Sequence, residues 1–219
     1  MPYIAIEHDL DAVPEPLDLP SHQVKQLFDI AQAGAVGSVG SLRDFLGAAA
    51  DIHLNYLAFI PVSVLLERIR QQHRNSLGFQ MRFSGDISGE IFTFFNEQEA
   101  FSLVEKMLGA KRRSHQPLNP LELSVLAELV NIISNSFWRV MADQADLNWW
   151  FSPPTRLRDP NRTLTYSAKV RNYDHLIIHF EFLIPSFNLR FQYIILPTHN
   201  SIRKLLHSLG RSVITETNV

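Results

Sequence analysis

The stretch from Pro120 to Trp138 reads as a helix that can lie in only one way. Between Leu123 and Trp138 the sole charged side chain is Glu128. At about 100° per residue, Ser124, Glu128, Asn131 and Asn135 fall within roughly 60° of one another and form one polar stripe. Leu126, Leu129, Ile133, Phe137 and Val140 occupy the opposite side, where a core-facing helix keeps its apolar residues. A solvated helix face ordinarily carries several charges of both signs. One carboxylate and two carboxamides suit gripping a partner or orienting a water instead, and they supply no strong nucleophile. Trp138 continues the stripe, either as a partner contact or as a filler of the core.

The start of this helix is written in the sequence. Asn119 can cap it, Pro120 suits its first position, and Glu122 completes a capping box, which predicts a helix from Asn119 to about Ala145. A second long helix is predicted from Ser21 to about Gly47, with Gly34, Gly37 and Gly40 at three-residue spacing. Each interior glycine costs a helix roughly 1 kcal/mol relative to alanine. The compensation expected is close approach of another backbone along that side, by the other long helix or by a sheet.

The chain reads as built twice. A shift of 99 lays Asp29 on Glu128, Gln32 on Asn131, Leu27 on Leu126 and Leu42 on Met141. A shift of 92 brings Phe59-Ile-Pro61 onto Phe151-Ser-Pro153, and a shift of 101 brings Val104 and Gly109 onto Leu205 and Gly210. Each half is then long helix, strands, shorter helix. Strands are predicted near 55–68, 78–85 and 88–95, and again near 147–159, 163–171, 174–184 and 187–196. Turns are predicted at Gly85-Asp86, from Asn172 to Asp174 and at Pro185-Ser186. Shorter helices are predicted over 97–108, capped by Gly109, and over 198–209, ending at Gly210. Residues 1–20, with Pro14, Pro16 and Pro20, form an N-terminal arm. Residues 21–219 form one domain of two repeats, about 21–110 and 119–210, joined by the basic, polar stretch from Ala110 to Leu118.

Composition removes several kinds of function. A net charge of −2 offers no basic face for nucleic acid. The absence of cysteine excludes disulfides, thiolate metal sites and a Cys nucleophile, and fits a reducing cytoplasm. The acidic start, with Glu7, Asp9, Asp11, Glu15 and Asp18 ahead of the first basic residue Lys25, predicts no secretory signal. No apolar run approaches the ~20 residues that span a bilayer. The expectation is a cytoplasmic protein with no nucleic-acid or membrane partner, in which the sequon Asn161-Arg-Thr163 carries no glycan. His175 and His179 would share a strand face without a third ligand, so no metal site is expected. Trp149-Trp150 straddles a strand as packing residues do, and the glycines at 34, 37 and 40 follow no strand and make no nucleotide loop.

The spacing Ser124-x3-Glu128-x2-Asn131-x22-Pro154 resembles the signature of the CheC/CheX/FliY phosphatases of bacterial chemotaxis: Ser or Asp, three residues, Glu, two residues, Asn, then Pro after 22 more. The resemblance covers about Pro20 to Gly210. It implies an α/β, pseudo-twofold CheC-like fold, with long helices packed beside an antiparallel β-sheet. It implies as substrate the aspartyl phosphate of a CheY-like response-regulator receiver. Asn131 would hold the attacking water in line, and Glu128 would pair with the receiver's active-site lysine. Ser124 would bond either to its own helix or to the partner, and Pro154 would shape the chain below the site. Asn135, outside the signature but on the same stripe, is expected with Ser124 to contact the partner. The chain would need no cofactor of its own, because the receiver supplies Mg²⁺.

In the first half Asp29 and Gln32 stand at the Glu and Asn positions, Lys25 replaces Ser, and Pro61 follows Gln32 after 28 residues. That departs from the pattern and implies a degenerate second site. Family habits also imply two alternatives to catalysis: a binding module like the flagellar-switch domains of this fold, or an adapter for a CheD-like protein. By analogy, a strand edge near 147–159 could pair with a second copy to form a homodimer.

Overall fold

The computed structural model of the chain describes residues 21–47, 53–61, 76–109, 116–159, 162–163 and 176–216. The N-terminal arm, residues 62–68 of the strand expected at 55–68, residues 164–171 of the strand expected at 163–171, the turn at 172–174 and His175 lie outside the described residues. Among the described residues four long α-helices, α1 (Ser21–Leu46), α2 (Glu97–Leu108), α3 (Pro120–Ala145) and α4 (His199–Glu216), accompany seven strands. The strands are β1 (His53–Pro61), β2 (Ser76–Gly85), β3 (Gly89–Asn96), β4 (Trp149–Phe151), β5 (Thr155–Leu157), β6 (Leu176–Ile184) and β7 (Leu189–Pro197).

All pairings among these strands are antiparallel, in the order β1-β6-β7-β3-β2-β4, with β5 also on β2. This order carries the pseudo-twofold. The two halves meet at β3 and β7, flanked by β2 and β6. Each half then sends its first strand to the other: β1 lies on β6, while β4 and β5 lie on β2. Neither half completes its edge alone, so the two repeats share one sheet. The apolar positions matched at a shift of 99 are core in both halves, with Leu27, Leu42, Leu126 and Met141 all buried.

Local chemistry sets most element ends. Asn119 Oδ1 accepts from Glu122 N at 3.0 Å and Glu122 Oε2 accepts from Asn119 N at 2.7 Å, the capping box expected. Asn96 caps α2 by accepting from Gln98 N and Glu99 N through its side-chain oxygen, and Gly109 closes the helix at φ 64°. Leu118, at the end of the stretch between the halves, is buried and so belongs to the core rather than to a linker. Two expectations fail. Helix α4 does not stop at Gly210 but runs on to Glu216, because glycine weakens a helix without being obliged to end it. The strand expected over 147–159 is split into β4 and β5, because Pro153 and Pro154 have no N–H to give a ladder. Ser152 bridges the break: its N donates to Arg82 O and its Oγ accepts from Arg82 N, both at 2.9 Å.

Helices α1 and α3 cross at the glycines. A Cβ on Gly34 would stand 2.7 Å from the Phe137 ring and 3.1 Å from Phe137 O, and one on Gly37 would stand 2.8 Å from Val140 Cγ2. Ser38 Oγ, fully buried at this crossing, donates to Gly34 O and Ile133 O and so ties one helix to the other. Toward the sheet, Tyr193 of β7 donates to Ser134 Oγ at 2.9 Å, and Ser134 Oγ donates to Val130 O. Burial drives the Tyr193 phenol well above its ordinary pKa, which keeps it a donor. Gly40 departs from the expectation, since nothing lies within 4 Å of a Cβ built there.

The glycines therefore predict opposite signs. Gly40→Ala should stabilise the protein by up to about 1 kcal/mol through helix propensity. Gly34→Ala should destabilise it by about 1–3 kcal/mol through overpacking against Phe137. Urea denaturation of the two variants checks both.

Candidate functional site

Helix α3 divides its residues cleanly. Leu126, Leu129, Ile133 and Phe137 are buried, Ser124, Glu128 and Asn135 are exposed, and Asn131 is half-buried between them. The exposed side forms one wall of an open cleft of about 680 Å³. The opposite wall is β4 and the Ser152–Pro154 break, so Ser124, Glu128, Asn131 and Pro154 all line the same space. Residues far apart in sequence are brought together here because β4 docks beside α3.

Trp138 does the docking. The periodicity left it either outward or inward, and the structure turns it inward at 2 % exposure. Its ring lies 4.6 Å from Phe83, 5.2 Å from Trp149 in a T-shaped contact and 5.9 Å from Phe151, measured between centroids. Such geometries are favourable for aromatic pairs beyond the area they bury. Trp149 and Phe151 are thereby pulled toward the core, and the alternation of the strand sends Trp150 outward.

The polar groups differ in how they are held. No hydrogen bond or ion pair engages the Glu128 carboxylate among the described residues, although it stands in the cleft wall. Asn131 is held. Asn135 Nδ2 donates to Asn131 Oδ1 at 3.0 Å and to Asn131 O at 2.9 Å. This fixes the carboxamide and leaves its Nδ2 hydrogens and the second Oδ1 lone pair available to the cleft. Ser124 Oγ donates to Leu121 O at 2.7 Å, so its proton is spent on its own helix.

Asp29 is exposed and Gln32 half-buried, one turn apart on α1, but neither lines this cleft. His179 is a buried residue of β6. Among the described residues no group of three or more His, Asp or Glu could hold a metal, and no helix is long and apolar enough to cross a membrane. Arg139 lines the cleft and was missed. Its signal was present, since it falls about 20° beyond Glu128 on the helical wheel, one position past the uncharged run.

No protein-family model and no curated protein matches the sequence. The fold, however, has clear counterparts. The structure of FliY from Thermotoga maritima superposes with a TM-score of 0.67 at 13 % identity, over 90 % of this chain and all 100 % of that one. FliM from H. pylori, in complex with SpeE, matches with a TM-score of 0.62 at 14 % identity, over 89 % of this chain and 97 % of that one. CheX from Borrelia burgdorferi, solved in complex with CheY, BeF3 and Mg²⁺, matches at 0.51 and 14 % identity, over 81 % and 98 %. The chain therefore has the CheC-like fold shared by FliY, CheX and the FliM middle domain.

Removing the post should collapse the wall. Trp138→Ala is expected to cost about 3–5 kcal/mol of stability. In whatever fraction remains folded, Trp149 should become more exposed, which tryptophan fluorescence in a Trp150→Phe background can report.

Proposed function

We propose that this chain accelerates hydrolysis of the aspartyl phosphate on a CheY-like receiver domain. One observation carries the reading. The four positions of the signature line one open cleft, with the Glu128 carboxylate unengaged and the Asn131 carboxamide held in place by its neighbour. The resolved complex of CheX with CheY, BeF3 and Mg²⁺ supports a receiver as the occupant, since it joins a protein of this fold to such a domain.

The chemistry asks little of the chain. A water attacks phosphorus, the bond from phosphorus to the receiver's carboxylate oxygen breaks, and aspartate and inorganic phosphate result. Phosphoryl transfer of this kind needs mainly alignment and charge stabilisation. Mg²⁺ arrives with the receiver. Asn131 accepts a hydrogen bond from the water through its free Oδ1 lone pair and aims it. Glu128 meets the receiver's lysine and sets the register of the helix over the phosphoryl group. Asn135 acts through Asn131 as a positioning residue, in place of the partner contact expected of it, and Ser124 serves the first turn of α3.

The variants should separate these roles. Asn131→Ala should slow the accelerated decay of receiver aspartyl phosphate about 100-fold, the order that lost alignment costs, with KM little changed. Asn135→Ala should lower kcat more than KM, and Glu128→Ala should act chiefly on KM. Ser124→Ala should be nearly silent. Decay rates indifferent to Asn131→Ala across a panel of phosphorylated receivers would refute the catalytic role.

A second reading rests on the likeness to FliM, whose structures include complexes with FliG and with SpeE. In that reading the same cleft binds a partner without hydrolysis. It predicts binding that depends on Glu128 and leaves phosphate lifetime untouched.

A further inference from the structure

The pair that faces the phosphoryl group cannot choose among receivers, because the phosphorylated carboxylate and its lysine are the shared chemistry of all of them. Selection has to come from surface beyond the pair. The cleft continues past Asn131 and Asn135 to Arg139 on α3 and Trp150 on β4. Trp150 is 65 % exposed, while the tryptophan before it is packed on Trp138. It is not a loose side chain on a loop, since its backbone is paired with Ser84 at the sheet edge. Arg139 is exposed, and no carboxylate pairs with it among the described residues. Tryptophan and arginine are the residue types over-represented where interfaces concentrate their binding energy.

The charges are set out along a ruler. Glu128 and Arg139 lie about 16 Å apart along the helix axis, from 1.5 Å per residue. No charged side chain stands between them. A surface that docks here must therefore meet Glu128 with a cation, Arg139 with an anion, and Trp150 with an apolar patch.

We infer that Arg139 and Trp150 are the partner-selecting end of the cleft. They bind an acidic and apolar patch on the same receiver whose phosphoryl group faces Asn131. The inference rests on the receiver reading above and adds which receivers are accepted: those carrying a carboxylate at that distance from their active-site lysine. Opposite charges at the two ends also reject a partner docked in reverse, since reversal would set like against like.

The test uses the full chain, with Arg139→Glu and Trp150→Ala, against receivers loaded with beryllium fluoride and Mg²⁺. Dissociation constants come from titration, and decay of phosphorylated receivers gives kcat and KM. Each substitution should raise Kd and KM at least 10-fold while kcat stays within twofold. Reversing the matching receiver carboxylate to lysine should restore binding to the Arg139→Glu chain. Both side chains are exposed, and thermal melts of the variants should overlay the parent. Dissociation constants unchanged in both variants, or no binding of any receiver by the parent chain, would overturn the inference. Binding lost in these variants while no receiver is ever hydrolysed faster would remove the catalytic reading and leave the selecting surface in place. Asn131-dependent hydrolysis indifferent to both substitutions would do the reverse.

Discussion

The packing of Trp138 between α3 and the β4 edge is the contact on which the cleft depends. Helix α3 would present its polar stripe even if β4 lay elsewhere, but that stripe would then be one flank of a convex rod. With Trp149 and Phe151 drawn onto the buried indole, and Phe83 beneath it, the edge of the sheet becomes a second wall. The Pro153-Pro154 break then turns the chain along that wall and breaks the ladder at the sheet edge. A large aromatic set in the core thus decides the shape of a polar surface.

The exchange of first strands gives this arrangement its rigidity. Because β4 and β5 of the second half lie on β2 of the first, the wall facing α3 is anchored to a strand from the other repeat. The close crossing of α1 and α3 over Gly34 and Gly37 holds the helix from its other side. The polar face of α3 is left exposed while its apolar side is engaged with the core. The repeat that supplies α1 carries Asp29 and Gln32 at the positions matching Glu128 and Asn131, and its long helix packs against α3. The same frame serves FliM as well as CheX, so the fold alone does not determine activity.

Much of this was legible in the residues. The capping box at Asn119 and the 3.6-residue period of α3 are local signals, and local signals survive folding with little change. The glycines announced a close crossing because nothing else repays their cost. The failures came where tertiary context overrode pattern. For Trp138, at the margin of the polar stripe, the pattern left outward and inward both open, and only the aromatic cluster beyond the helix decides for inward. The split of the 147–159 strand depended on two prolines meeting a ladder whose partner strand lies some 70 residues away in sequence. Arg139 escaped notice because the cleft it lines is closed by β4, which the sequence places on another element. The bond from Asn135 to Asn131 was not legible either, because it is a matter of rotamer rather than of spacing.

The most direct measurement is a nuclear magnetic resonance titration of the isotope-labelled chain with a receiver loaded with beryllium fluoride and Mg²⁺. The side-chain amide of Asn131 and the carboxylate carbon of Glu128 should shift together and saturate at one equivalent. Signals of Asp29 and Gln32 on α1 should stay in place. Perturbation confined to α1, or a receiver that binds without moving either α3 side chain, would contradict the account.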